Sequence, residues 1–188
     1  MDIQDAVALI RDAVSDGAGI WADLGAGTGT FTRALARILG PASTIYAVDH
    51  DASAVAALRA LAAGSATRIV PVSADFTRSL ELPGLGDTPL DGILMANSLH
   101  FVRDAERVVA DLVRRVRVGG RVVVVEYDRR ASSRWVPYPI DAATWPRLAE
   151  AAGLSRPAVT STRPSAYAGT LYAGVAVRAP DSGSTAAQ

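Results

Sequence analysis

Asp23-Leu24-Gly25-Ala26-Gly27-Thr28-Gly29 (DLGAGTG) follows the apolar run GIWA and decides how the chain is read. Glycines alternate behind an acidic residue, between a short apolar stretch and a segment of helical periodicity. Glycine here lets the chain turn sharply and lets a ligand approach the backbone with no Cβ in the way. The helix that follows would offer free N–H groups to an anionic group. The dinucleotide fingerprint G-x-G-x-x-G puts its third glycine one residue later, where this chain has Thr30. That spacing weakens a dinucleotide reading. Taken alone, the stretch is equally a tight strand–helix turn with no ligand.

Strands and helices alternate outward from it. Ile3, Val7, Ile10 and Val14 recur at helical spacing, which predicts an amphipathic helix within residues 1–17. GIWADLGAG reads as a buried strand, and Thr30–Leu39 as a helix stopped by Gly40-Pro41. STIYAVDHD is the second strand, and Ala52–Ala63 a helix ended by Gly64. RIVPVSADF is the third strand, and the Pro/Gly-rich LPGLGDTPL leads to a fourth, GILMANS. A helix is expected from an Asp104 N-cap to Val116, stopped by Gly119-Gly120. RVVVVEY then reads as the fifth strand, followed by the loop DRRASSRWVPYP and a helix from Asp141 to Ala152. AVTSTRPSAYAGTLYAGVAVR predicts an antiparallel hairpin turning between Ser165 and Gly169. The small, polar tail 179–188 is expected to be disordered. The pattern as a whole predicts an open α/β fold in one domain over residues 18–178. Its seven-stranded sheet is mostly parallel, with helices on both faces and a C-terminal antiparallel hairpin.

Composition narrows the chemistry. The 188 residues are 49% hydrophobic, enough for one well-packed domain. Lys plus Arg and Asp plus Glu number 19 each, so no long-range field concentrates nucleic acid or an anionic membrane, and neither is expected as a partner. The absence of cysteine excludes disulfides, a thiolate nucleophile and thiolate metal ligation. Two histidines, His50 and His100, make a histidine-rich metal site unexpected. The opening MDIQDAVALIRDAV lacks the basic-then-apolar pattern of a secretion signal, so a cytoplasmic location is expected.

Polar groups then mark successive strand ends. Asp49 closes the second strand, about 20 residues past the glycines, where a carboxylate accepts hydrogen bonds from a ribose diol. Asp51 fits the N-cap of the next helix and leaves Asp49 for a ligand. Asp75-Phe76 follows the third strand, where a carboxylate can accept from an exocyclic amino group beside an aromatic surface. Asn97-Ser98-Leu99-His100 follows the fourth. Each alone also reads as a cap or a loop residue.

With these residues in view, the chain resembles the class I S-adenosylmethionine-dependent methyltransferases over about residues 18–178. DLGAGTG resembles their first motif, YAVDHD their second, SADF the adenine-contacting motif and DGILMANSLHFV the fourth-strand motif. The resemblance implies S-adenosylmethionine as cofactor and a Rossmann-like methyltransferase fold. It implies that Asp23, Gly25, Ala26, Gly27 and Gly29 surround the methionine end and Asp49 the ribose. His50, Asp75 and Phe76 would lie at the adenine, and Asn97 near the transferred methyl. NSLHFV departs from the Asn/Asp-Pro-Pro-aromatic pattern of the amino methyltransferases and looks more like the small-molecule branch, so a small-molecule acceptor is expected. His100 is the candidate base, against a structural histidine anchoring its loop. Tyr127, Trp135 and Tyr138, interleaved with Arg129, Arg130 and Arg134, are candidates for an acceptor rim, against an ordinary solvated loop. With few residues before the first strand, the site is expected to be open, to be completed by a second copy in a homodimer, or to receive a bulky substrate. A nicotinamide-dependent oxidoreductase and a non-catalytic cofactor-binding module stay open as alternatives.

Overall fold

The structure is a computed structural model and describes residues 1–14, 17–165 and 169–180. The chain runs α1 (Ile3–Ile10), β1 (Ile20–Leu24), α2 (Thr30–Leu39), β2 (Thr44–Asp49), α3 (Ala52–Ala63), β3 (Arg68–Ser73) and β4 (Leu90–Ala96). It continues through a 3-10 turn at Leu99–Phe101, then α4 (Ala105–Val113), β5 (Val116–Asp128), α5 (Trp145–Ala151), β6 (Leu154–Pro164) and β7 (Thr170–Arg178). The strands form one sheet in the order β3-β2-β1-β4-β5-β7-β6. The first five are parallel, and β7 pairs antiparallel with both β5 and β6.

β1, β2 and β4 are nearly continuous apolar runs because both faces of the sheet are covered. On one face Trp21, Ile45, Leu94 and Val123 pack against α1 and α2. On the other, Leu24, Val48, Met95 and Val124 pack with residues of α4 and α5. The segment after β3 contains no helix. It covers the second face with Leu80, Leu82 and Leu85, all buried, before re-entering the sheet at β4. The chain thus moves outward from β1 to β3 and then returns to the other side of β1. That reversal opens a crevice beyond the carboxyl ends of β1 and β4, where ligands of such sheets bind.

Local signals set most element ends. The Asp51 carboxylate accepts the Ala54 N–H at 2.9 Å to start α3, and the Asp104 carboxylate accepts the Arg107 N–H at 3.3 Å to start α4. α2 and α3 lie where their periodicity places them. α4, however, stops at Val113 rather than Val116, and Gly119-Gly120 does not end it. Both glycines lie inside β5, where the register against β4 jumps from Leu90↔Val116 to Gly92↔Arg121. A Cβ on Gly120 would come within 2.5 Å of Val116 and 2.8 Å of the Asp91 carbonyl, so glycine there admits the irregular crossing. α5 likewise begins at Trp145, because the Asp141 side chain binds the Thr144 N–H at 2.9 Å and holds residues 141–144 as a turn. β6 begins at Leu154, before the expected start. Part of the expected hairpin turn (166–168) and most of the expected disordered tail (181–188) lie outside the described residues.

Candidate active site

The glycine stretch forms the turn from β1 to α2. The Gly25 and Ala26 N–H groups both donate to the Val48 carbonyl at 2.9 Å, which ties the turn to the end of β2. Gly25 adopts φ +76°, and a Cβ on it would lie 2.5 Å from that of Ser98. Only glycine allows this approach of the turn to the end of β4. The Ser98 hydroxyl reinforces the junction by donating to the Leu24 carbonyl at 2.7 Å.

Asp49 binds the turn directly. One carboxylate oxygen accepts the Gly27 N–H at 2.8 Å and the other the Asp51 N–H at 2.9 Å. A carboxylate has about four acceptor positions, so capacity remains for a diol. Asp49 is therefore engaged rather than free, and its bond to Gly27 links the tips of β1 and β2.

Gly25, Asp49, His50, Asp75, Phe76 and Asn97 line one cleft of about 360 Å³, which Thr77, Ser98, Phe101 and Val102 complete. Asp75 also accepts from the Thr77 N–H at 3.0 Å and the Thr77 hydroxyl at 2.7 Å. These bonds hold its carboxyl below the usual range. Asp23, Ala26, Gly27 and Gly29 are not in this wall. A Cβ on Gly29 would meet Leu61 at 2.7 Å, so that glycine serves the packing of α2 against α3. Asp23 is 1% exposed and accepts the Thr32 hydroxyl at 2.6 Å, while its other oxygen has no partner among the described residues. Burial above all, with the nearby Asp49 charge adding to it and Thr32 opposing, lifts the Asp23 carboxyl from 3.8 to about 7.

Asn97 is the junction. It has φ +55° at the end of β4, and its buried Oδ1 has no hydrogen-bond partner among the described residues. Strain and an unsatisfied acceptor at one residue are costly, and they concentrate at functional sites. Asn97 and Phe101 also line a second cavity of about 560 Å³, with His100, Tyr127, Arg130 and Trp135. The cleft and the cavity therefore meet at the tip of β4. Tyr138 is not in the cavity wall; its N–H donates to the His100 carbonyl at 3.0 Å. The Arg130 guanidinium lies 4.5 Å from the centre of the Tyr127 ring and that of Arg134 lies 4.3 Å from the Trp135 ring.

His100 is 2% exposed, and its Nδ1 lies 2.5 Å from Oε2 of the fully buried Glu126. The other Glu126 oxygen accepts the Leu99 and His100 N–H groups at 3.0 and 3.2 Å. Burial raises the Glu126 carboxyl above its ordinary range, and the His100 and Leu99 donors oppose the rise. Sequence reading singled out neither Glu126 nor the cleft residues Thr77, Phe101 and Val102. The signal for Glu126 is a lone carboxylate closing the run Val122–Val125, where a strand buried on both faces admits no charge without a partner.

Among the described residues no cluster of His, Cys, Asp and Glu could hold a metal ion, and no helix is long and apolar enough to cross a membrane.

A methyltransferase-domain family model matches residues 22–120, which holds the glycine turn, Asp49, Asp75, Asn97 and His100. The chain is 32% identical to a ubiquinone/menaquinone biosynthesis C-methyltransferase of Stutzerimonas stutzeri over 109 residues, which is 57% of this chain and 41% of that protein. It thus spans less than half the length of the curated relatives it matches. The YcgJ protein of Bacillus subtilis superposes with a TM-score of 0.73 at 12% identity, covering 94% of this chain and 99% of that one. An S-adenosylmethionine-dependent methyltransferase of Aquifex aeolicus superposes at 0.70 and 16% identity, covering 92% and 88%. These two likenesses establish the fold, with the same seven-stranded sheet the sequence pattern implies. The chain belongs to the methyltransferase domain family, in the class I S-adenosylmethionine-dependent fold that its motifs resemble.

Proposed function

We propose that this chain binds S-adenosylmethionine in the cleft and transfers its methyl group to a small-molecule acceptor held in the adjoining cavity. The observation that carries the reading is Asn97, a strained residue with an unsatisfied buried oxygen where cleft and cavity meet. The Asn97 oxygen, unpartnered among the described residues and belonging to a residue in both walls, suits a cofactor that brings hydrogen-bond donors such as an ammonium group. In this reading Phe76 and Val102 flank the base, Asp75 accepts from its amino group, and Asp49 accepts from the ribose. When bound, the sulfonium supplies an activated methyl with a good leaving group. The chain's residues then have to align the acceptor and exclude water. Phe101, Tyr127 and Trp135 supply the planar surfaces for that alignment.

Asp49→Ala tests the assignment. Loss of hydrogen bonds to a charged acceptor costs about 1.5–3 kcal/mol, so the affinity for S-adenosylhomocysteine is expected to fall roughly 10- to 100-fold with the fold retained. Unchanged affinity in a folded Asp49→Ala protein removes Asp49 from the ribose site.

A further inference from the structure

Glu126 is not among the residues lining the cleft, yet it is fully buried, with its carboxyl set against two backbone N–H groups and the His100 imidazole. Pinning the turn after β4 needs only its Oε1, which accepts the two backbone N–H groups. The second oxygen faces His100 Nδ1 at 2.5 Å. A carboxylate already accepting two N–H bonds favours a protonated Nδ1, which leaves Nε2 as the lone-pair nitrogen. Among the described residues, Glu126 is the side-chain hydrogen-bond partner of this imidazole, and His100 is one of the residues lining the 560 Å³ cavity. Around it, the Phe101 ring lies 4.4 Å and the Tyr127 ring 6.1 Å from the imidazole, centre to centre. Two guanidinium groups cover the Tyr127 and Trp135 rings and place positive charge at the rim. A slot of aromatic faces with a buried, oriented imidazole suits a flat ring carrying a weakly acidic hydroxyl.

We propose that His100 is the general base for methyl transfer to the hydroxyl of a planar aromatic acceptor, with Glu126 as its positioning residue. This rests on the methyl-transfer reading above and names the acceptor class for it. His100 Nε2 takes the hydroxyl proton, and Glu126 holds the resulting imidazolium. The acceptor oxygen forms its bond to the methyl carbon as the bond from sulfur to that carbon breaks. The electron pair of the broken bond stays on sulfur, leaving a neutral thioether and a methyl ether. His100 then releases the proton to solvent. A positioned base of this kind contributes about 100- to 10,000-fold.

The variant Glu126→Gln keeps an oxygen for the two backbone N–H groups but turns an amide N–H toward Nδ1, which moves the imidazole proton to Nε2. Nitrogen-15 NMR on the S-adenosylhomocysteine complex is expected to show His100 as the Nδ1–H tautomer in the wild type and as Nε2–H in Glu126→Gln, with exposed His50 unchanged. With radiolabelled S-adenosylmethionine and phenol at pH 7, Glu126→Gln and His100→Ala are expected to lose at least about 100-fold in rate. With 4-nitrophenol at pH 9, ionised without help, the same variants are expected to lose less than about tenfold. An Nε2–H tautomer in the wild type overturns the proposal, and so do equal losses with the two phenols. If wild-type protein binds S-adenosylmethionine but methylates neither phenol, the acceptor class falls while the cofactor reading stands. Failure to bind S-adenosylhomocysteine counts against the cofactor reading itself.

Discussion

Asp23 shows how one residue carries both a folding cost and a candidate binding role. Its carboxyl is sealed behind the glycine turn with one oxygen unpaired, and burial raises its pKa to about 7. Between the ordinary carboxylate pKa of 3.8 and about 7, the native protein holds a proton that the unfolded chain has released. The native state binds more protons in that window, so this group's contribution to stability falls as pH rises through it. Urea unfolding of wild type and Asp23→Asn at pH 4.5 and 7.5 measures the effect. The wild type is expected to lose stability relative to the variant across that interval, on the order of 1 kcal/mol or more. A pH-independent difference would mean that Asp23 ionises normally. Asp49, by contrast, was legible as a strand-end acid, but not its bond to Gly27, which depends on two turns meeting in space.

At the scale of elements, legibility followed local punctuation. α2 and α3 lie within the bounds their periodicity and caps predict, since Asp51 and Gly64 act on their own helix. The end of α4 was misread because Gly119-Gly120 resembles a helix stop, whereas its role is to let β5 cross an irregular register. That role depends on contacts with Val116 and Asp91, which no local rule contains. Glu126 escaped notice for a related reason: its partner, His100, comes from a different strand end. Close packing between paired strands yields its own prediction. Gly92 of β4 is in register with Trp21 of β1, and a Cβ there would lie 2.5 Å from the indole. Gly92→Ala is therefore expected to destabilise the protein by about 1–3 kcal/mol. A chain of this size would then melt roughly 2–4 °C lower per kcal/mol. An unchanged melting temperature would show that Trp21 repacks freely.

The whole molecule is organised by one reversal of strand order. Because the chain builds β1 to β3 outward and then returns beside β1, the ends of β1, β2 and β4 converge, and the connection after β3 adds Asp75 and Phe76. The glycine turn, Asp49, Asp75 and Asn97 lie far apart in sequence, yet this topology places them around one crevice. The strand-end pattern made that convergence legible from the sequence. The second cavity was less so, because it depends on where the loop after β5 folds, and of its expected aromatic residues Tyr127 and Trp135 line it while Tyr138 does not. The central claim is that the crevice is built for S-adenosylmethionine and not for a dinucleotide, as Thr30 in place of a third fingerprint glycine implies. Calorimetric titration of the wild-type protein with S-adenosylhomocysteine and, separately, with NAD tests it most directly. The account predicts saturable one-site binding of S-adenosylhomocysteine and no heat of binding with NAD; saturable binding of NAD without binding of S-adenosylhomocysteine would contradict it.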